Sequence, residues 1–208
     1  MASNDNSENS ARSQLVGSDI DSLYGVIDKD KVYGLNLTVP EDAKAVVKPW
    51  EEREDTTLFA ESNVDDQLIL HIPFTQNVRV KSILVKLGRG EVTPRQLRIY
   101  ANHPTIVDFA EAEVITPQLN LALLEESGVT EYPLRVAAFA NVNTLSLFFN
   151  ESTGGEMTRI YYVGFKGDAR TPRKEANSKM VVPAANAADA RITDRVLEKA
   201  GAQQTTAR

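Results

Sequence analysis

No cysteine occurs among the 208 residues. Disulfides, thiolate nucleophiles, thioredoxin-type redox chemistry and cysteine-ligated zinc are all excluded by that one absence. Histidine is nearly as scarce, with only His71 and His103, so chemistry that needs clustered imidazoles has little to draw on. No stretch approaches the ~18 consecutive apolar residues of a membrane span, and no transmembrane helix is expected. Residues 1–14 are rich in Ser, Asn and Asp and lack an apolar centre, so they do not read as a secretory signal, and an intracellular protein is expected. On that expectation the glycosylation sequons at Asn36-Leu37-Thr38 and Asn150-Glu151-Ser152 are chance matches.

Charge is present in both signs but unevenly placed. The net charge is -6, and residues 166–208 hold nine Lys/Arg against five Asp/Glu, which leaves -10 for residues 1–165. An acidic body repels phosphate backbones and the basic tail carries no aromatic ring for base stacking, so a nucleic-acid partner is not expected. Both ends read as solubilising.

Residues 1–17 lack the apolar area needed to offset ordering entropy and read as a disordered leader. Ser18 then looks like a helix N-cap, with Ile20, Leu23, Tyr24 and Ile27 at helical spacing, and a short helix is predicted from Asp19 to about Val26. From Val32 the pattern is that of a β protein. Strands are predicted at 32–37, 57–60, 67–72, 78–87, 96–101, 113–115, 134–138, 144–149 and 159–165, separated by Pro, Gly, Asn and Asp. Within 78–87, Val78 and Val80 share one parity while Ile83, Val85 and Leu87 share the other, which predicts a bulge near Ser82. The connections 38–55 and 102–112 are too long for tight hairpins. An antiparallel jelly-roll-like or Greek-key β-sandwich over 18–167 follows, with a closed barrel as the alternative.

Catalytic chemistry finds little support. His71 alternates away from its aliphatic neighbours in Leu68-Ile69-Leu70-His71-Ile72, as a half-exposed strand residue does, and His103 sits at a turn. Asn63, Asp65 and Asp66 could offer hard oxygen ligands, but at a strand entrance such residues more often accept bonds from loop amides. No catalytic residue, cofactor or metal is predicted. The tips at Arg89-Gly90-Glu91 and 150–156 lack the strand-to-helix setting of a phosphate loop and read as exposed connections.

Glu61-Ser62-Asn63-Val64-Asp65-Asp66-Gln67-Leu68-Ile69-Leu70-His71-Ile72-Pro73-Phe74 resembles the most distinctive segment of the PITH (proteasome-interacting thioredoxin) domain family, an acidic turn running into a strand that closes on Ile-Pro-Phe. The likeness continues, in order, through Val80-Lys81-Ser82-Ile83-Leu84-Val85, then Pro94-Arg95-Gln96-Leu97-Arg98-Ile99-Tyr100-Ala101-Asn102 and Asp108-Phe109-Ala110. It ends with Pro133-Leu134-Arg135, Phe139-Ala140-Asn141-Val142 and Thr158-Arg159-Ile160-Tyr161-Tyr162-Val163-Gly164-Phe165-Lys166-Gly167, and covers about residues 23–167. The resemblance implies a jelly-roll-like sandwich, cytoplasmic and nuclear location, association with the proteasome regulatory particle, and no catalytic residues. A small-ligand module for glycans or lipids is the alternative function, since jelly rolls bind such ligands through end loops; only Trp50 and Tyr132 lie in loop-like sequence for sugar stacking.

The residues themselves suggest where contact would occur. Trp50, Phe74, Tyr100, Phe109, Phe139 and Phe148 read as core or end caps. The acidic cluster Glu51, Glu52, Glu54 and Asp55, together with the basic Arg89 and Arg95, reads as partner-binding surface on a monomer. The 168–208 tail reads as mostly disordered and basic, with a candidate helix at 189–200, capped by Asp189 and stopped at Gly201, that would set Ile192, Val196 and Leu197 as anchors at groove-binding spacing. About twelve residues is marginal for an isolated helix. A disordered solubilising tail is therefore the preferred reading, and the helix is the alternative, formed only against a surface.

Overall fold

The computed structural model describes residues 21–104 and 107–170. The chain divides into two compact units, Met1–Pro172 and Arg173–Arg208, of which the second lies outside the described residues. The predicted leader at 1–17 and the tail helix with Ile192, Val196 and Leu197 lie outside them too.

Eight antiparallel strands build two layers: β1 (Tyr33–Leu35), β2 (Ala60–Glu61), β3 (Leu68–Leu87), β4 (Pro94–Ala101), β5 (Leu119–Ala122), β6 (Thr130–Pro133), β7 (Val142–Ser152) and β8 (Arg159–Ala169). Hydrogen bonding is continuous because β3 serves both sheets. Its first third pairs with β1 and β7, and its second half pairs with β8 and β6. One sheet is therefore ordered β1-β3-β7-β4-β5 and the other β6-β3-β8-β2.

Local chemistry explains the turn of β3 from one layer to the next. Pro73 has no N–H to give, and the register against β7 shifts between Pro73 and Val78, which is the setting in which a strand tolerates proline. The two strands predicted at 67–72 and 78–87 are thus one strand bent at a corner. A second register shift lies between Val80 and Ser82, where the parity change predicts a bulge. Its effect is to keep Val78, Val80, Ile83, Val85 and Leu87 all in the inner core. Leu70, Ile72, Leu97, Leu147, Phe149, Val163 and Phe165 fill that core from the remaining strands. Each such side chain contributes about 1.5–3 kcal/mol by leaving water.

The outer face of the first sheet carries a smaller apolar cluster of Ile69, Tyr100 and Phe148, covered by Val107, Phe109 and Ala112. The cover is α2 (Phe109–Val114), which follows the short α1 (Asp42–Ala45) and whose cap Asp108 accepts the Glu111 N–H at 2.8 Å. The Tyr100 hydroxyl donates to the Ala112 carbonyl at 2.7 Å and ties helix to sheet. Of the six aromatics expected to be scaffold, Phe74, Tyr100, Phe139 and Phe148 are buried and Trp50 and Phe109 are half-buried.

Five predicted elements differ, and β5 matches no predicted strand. The strand predicted at 57–60 shrinks to β2 at Ala60–Glu61, since Asp55 and Lys48 tie the preceding residues into a bend. The 113–115 segment is the end of α2, not a strand. The strand predicted at 134–138 lies upstream as β6, an edge strand where Pro133 removes no needed donor, and 136–139 is a turn. Where the predicted 19–26 helix is described, Ser22 bridges Lys166 and Tyr24–Val26 forms a single 3-10 turn, because the β8 edge claims the backbone; the Leu23 N–H donates to the Phe165 carbonyl at 2.9 Å. Finally, β8 runs on to Ala169 instead of ending at Phe165, paired with Val78 at the corner.

Candidate functional site

β3 starts and finishes at the same end of the sandwich, so five connections gather there: 36–41, 62–67, 88–93, 123–129 and 153–158. Polar side chains join each to the next. Asn36 holds the left-handed conformation at φ 58°, which asparagine tolerates better than other non-glycine residues. From there its amide donates to Asp65 Oδ1 and to the Gln67 carbonyl, both at 2.7 Å, and its Oδ1 accepts the Val64 N–H at 3.0 Å. Asp65 Oδ1 also accepts the Gln67 N–H at 3.0 Å. Asp66 accepts the Ser152 N–H at 2.7 Å, and its carbonyl accepts the Thr158 hydroxyl at 2.6 Å. Ser62 and Thr158, both fully buried, exchange two further bonds at 2.9 Å. Gly154 passes so close to Glu91 that a Cβ would sit 2.8 Å from its Cβ, and the Gly154 N–H donates to the Glu91 carbonyl at 2.7 Å. The Gly90 N–H donates to Glu125 Oε1 at 3.0 Å.

Arg89 and Arg95, predicted as contact residues, both stand at this end. Arg89 lies 3.7 Å from Glu125 and is 69 % exposed, and Arg95 Nε donates to the Thr153 hydroxyl at 3.4 Å. The acidic cluster divides in two. Glu51 and Glu52 are exposed in a 3-10 turn, Trp50–Glu52, and no ion pair holds them among the described residues. Glu54 and Asp55 are also engaged within the chain. Lys86 donates to the Glu54 carbonyl at 2.9 Å and to its carboxylate; Lys48 donates to the Asp55 and Leu58 carbonyls at 2.9 and 3.0 Å, with Asp55 Oδ2 at 3.4 Å. Both lysines are buried, and a buried ammonium is tolerable only with such partners. They clamp the 46–58 segment over the outer face of the second sheet. Bonds from the Thr57 amide and hydroxyl hold the Asp55 carboxyl below the usual carboxylate range, with Lys48 adding to the effect. No ion pair joins this strap to Arg89 or Arg95 among the described residues.

His71 lies between Tyr33 of β1 and Ser146 of β7. Its ring lies 4.8 Å from Tyr33, nearly parallel, and its Nδ1 is 3.1 Å from the Ser146 hydroxyl across the ladder. Burial pushes the imidazole below its ordinary value and keeps it neutral. Ser146 is only 3 % exposed, so its hydroxyl has no room for a substrate carbonyl. Among the described residues no three His, Asp or Glu side chains converge as metal ligands do. Of the rings suited to sugar stacking, Trp50 faces two cations and Tyr132 packs against the core. Arg53 lies 4.0 Å from the Trp50 centroid and Lys166 5.6 Å from it, while the Tyr132 hydroxyl accepts the Leu124 N–H at 2.9 Å. Neither sequon is open to modification: the Asn36 amide is engaged, and Asn150 is 8 % exposed.

Sequence reasoning missed the pins Asn36, Ser62 and Thr158 and the exposed tips Val64 and Met157, whereas Asp66 accepts a loop amide, as its place at a strand entrance suggested. Asn36 invited dismissal as a chance sequon. An Asn just past a β run, where a left-handed turn residue is needed, was the available signal.

The PITH domain, as a family model, matches residues 14–185. PITH domain-containing protein 1 of Xenopus laevis is 35% identical over 174 residues, covering 82% of each chain, and that of Homo sapiens is 32% identical over 171 residues, covering 82% of this chain and 81% of the relative. PITH domain-containing protein CG6153 of Drosophila melanogaster is 35% identical over 147 residues, 71% of this chain and 69% of its own. None of these names denotes an enzyme. Among solved structures, CpGH89CBM32-5 from Clostridium perfringens has a TM-score of 0.52 at 7% identity, covering 70% of this chain and 99% of its own. A fucolectin from Morone saxatilis has a TM-score of 0.50 at 9% identity, covering 71% and 48%. At such identities the likeness is one of fold, and that fold is the jelly-roll-like sandwich.

Proposed function

We propose that this chain, which belongs to the PITH-domain family, is a non-catalytic protein-interaction module that associates with the proteasome regulatory particle or with ubiquitin-pathway proteins in the cytoplasm and nucleus. The observation that supports it most is the bonded loop end. Connections whose main chains are already fixed lose little conformational entropy when a partner arrives, which favours binding to a preformed surface. The buried Ser146 beside a neutral His71 supports a role without covalent chemistry. Monomeric behaviour and the absence of a nucleic-acid partner belong to the same proposal and rest on the acidic body.

Affinity purification of the full chain from cell extract tests it. Regulatory-particle subunits are expected to be enriched above their recovery on an unrelated acidic protein. Equal recovery on both would refute the association. A glycan- or lipid-binding module is the competing function, and the cations over the Trp50 ring and the packing of Tyr132 against the core speak against stacking on a sugar. A thermal-shift screen with glycans separates the two: a rise of several degrees abolished by Trp50→Ala would favour the ligand module.

A further inference from the structure

The loop end holds up a mixed surface. Val64 is 82 % exposed, Leu124 61 %, Val39 45 % and Met157 38 %, one on each of four adjoining connections. Exposed aliphatic residues scattered singly are ordinary on a protein surface. These four differ because the backbone beneath three of them is pinned by neighbouring loops, through Asn36 to Val64, Ser62 to Thr158 beside Met157, and Glu61 to Thr38 beside Val39. They are held out of the core rather than left loose.

Around them stand Glu91, Glu126, Glu151 and Glu156, all exposed and without a counter-ion among the described residues. Of the cations at this end, Arg89 pairs with Glu125 and Arg159 with Glu61, while Arg95 meets only the Thr153 hydroxyl and keeps its charge against the four carboxylates. The surface therefore offers negative charge between fixed apolar points. Phosphate backbones, anionic lipid surfaces and a second copy of the same acidic end would all be repelled.

We infer that the loop end is a docking face for a basic amphipathic polypeptide segment of a partner protein, one that interleaves Lys or Arg with aliphatic side chains. Its apolar residues would cover Val64 and Met157, and its cations would lie within the ~8–10 Å over which the surrounding carboxylates are felt at physiological salt. The inference rests on the interaction-module reading above and adds the face and the chemistry of its partner.

The test uses full-length protein and two fluorescent synthetic peptides of about sixteen residues, one of Lys and Leu at amphipathic helical spacing and one with Glu in place of Lys. Anisotropy titrations are expected to show saturable binding of the Lys peptide and none of the Glu peptide. Val64→Ser with Met157→Ser, which changes no charge, should weaken binding about tenfold with an unaltered salt dependence. Glu91→Gln with Glu156→Gln should weaken it mainly at low salt, and Glu51→Gln with Glu52→Gln should leave it unchanged. Undiminished binding by V64S/M157S, or a larger loss from E51Q/E52Q than from E91Q/E156Q, would overturn the assignment. The same variants in the extract purification keep the two proposals apart. Regulatory-particle recovery that survives every loop-end variant overturns the face and leaves the association standing. Peptide binding without such recovery overturns the association and supports the face.

Discussion

Replacing Asn36 by alanine removes three hydrogen bonds at once, two donated by its amide to Asp65 and Gln67 and one accepted from Val64. A net intramolecular bond is worth about 0.5–1.5 kcal/mol, and these lie near solvent, so about 2 kcal/mol is expected from the side chain. Alanine must also hold φ 58° without a local polar partner, at about 1 kcal/mol more. The sum is about 3 kcal/mol, or roughly 6–12 °C in melting temperature for a domain of this size. Asn36→Gly separates the parts, since glycine accepts the backbone conformation and loses only the bonds. Urea unfolding should therefore place Gly between wild type and Ala, with amide exchange accelerated first at Val64 and Gln67. A loss below about 0.5 kcal/mol for Asn36→Ala would refute the pinning of the acidic turn. Equal losses for Ala and Gly would refute the backbone part alone.

His71 makes stability depend on pH. Its folded pKa lies below the unfolded value of about 6.5, so the unfolded chain binds the extra proton first, and stability is complete above that pH and falls as pH drops toward the folded pKa. Urea unfolding at pH 7 and 5.5 should show this loss in wild type and less of it in His71→Gln; identical slopes would contradict it. Lys86→Met keeps the apolar stem but drops the bonds to Glu54, whose carboxylate is half-exposed and rehydrates, so a loss of about 2 kcal/mol in urea unfolding is expected. No measurable loss would show that the strap needs no clamp. Gly167→Ala would put a Cβ 1.9 Å from the Arg79 carbonyl oxygen on the adjacent strand. Backbone cannot rotate away, so at least about 3 kcal/mol should be lost, and a melting temperature within about 2 °C of wild type would contradict the close approach.

Much of the fold was legible because strand parity reports burial directly. Alternation in β4 and β7 and the parity change before Ile83 led to the right faces and to the bulge. Short elements were not legible by period. α2 has six residues, fewer than two turns, and only its cap, Asp108 with Glu111 three positions on, marked it as a helix. The strand expected at 134–138 began after Pro133, because sequence does not say which strands are edges and can hold a proline. At the candidate site, exposure of Arg89, Arg95, Glu51 and Glu52 followed from composition, whereas the capture of Glu54 by Lys86 joins residues far apart in sequence and had no local signature. Asn36 failed for the same reason: its partners lie in another connection.

Zero-length coupling of carboxylates to amines, read by mass spectrometry on the protein bound to regulatory particle, bears most directly on the loop end as the contact surface of an interaction module. Partner lysines are expected to be joined to Glu91, Glu126, Glu151 and Glu156. Coupling confined to Glu51 and Glu52 on the strap, or to Asp28 and Asp30 at the opposite end, would contradict it.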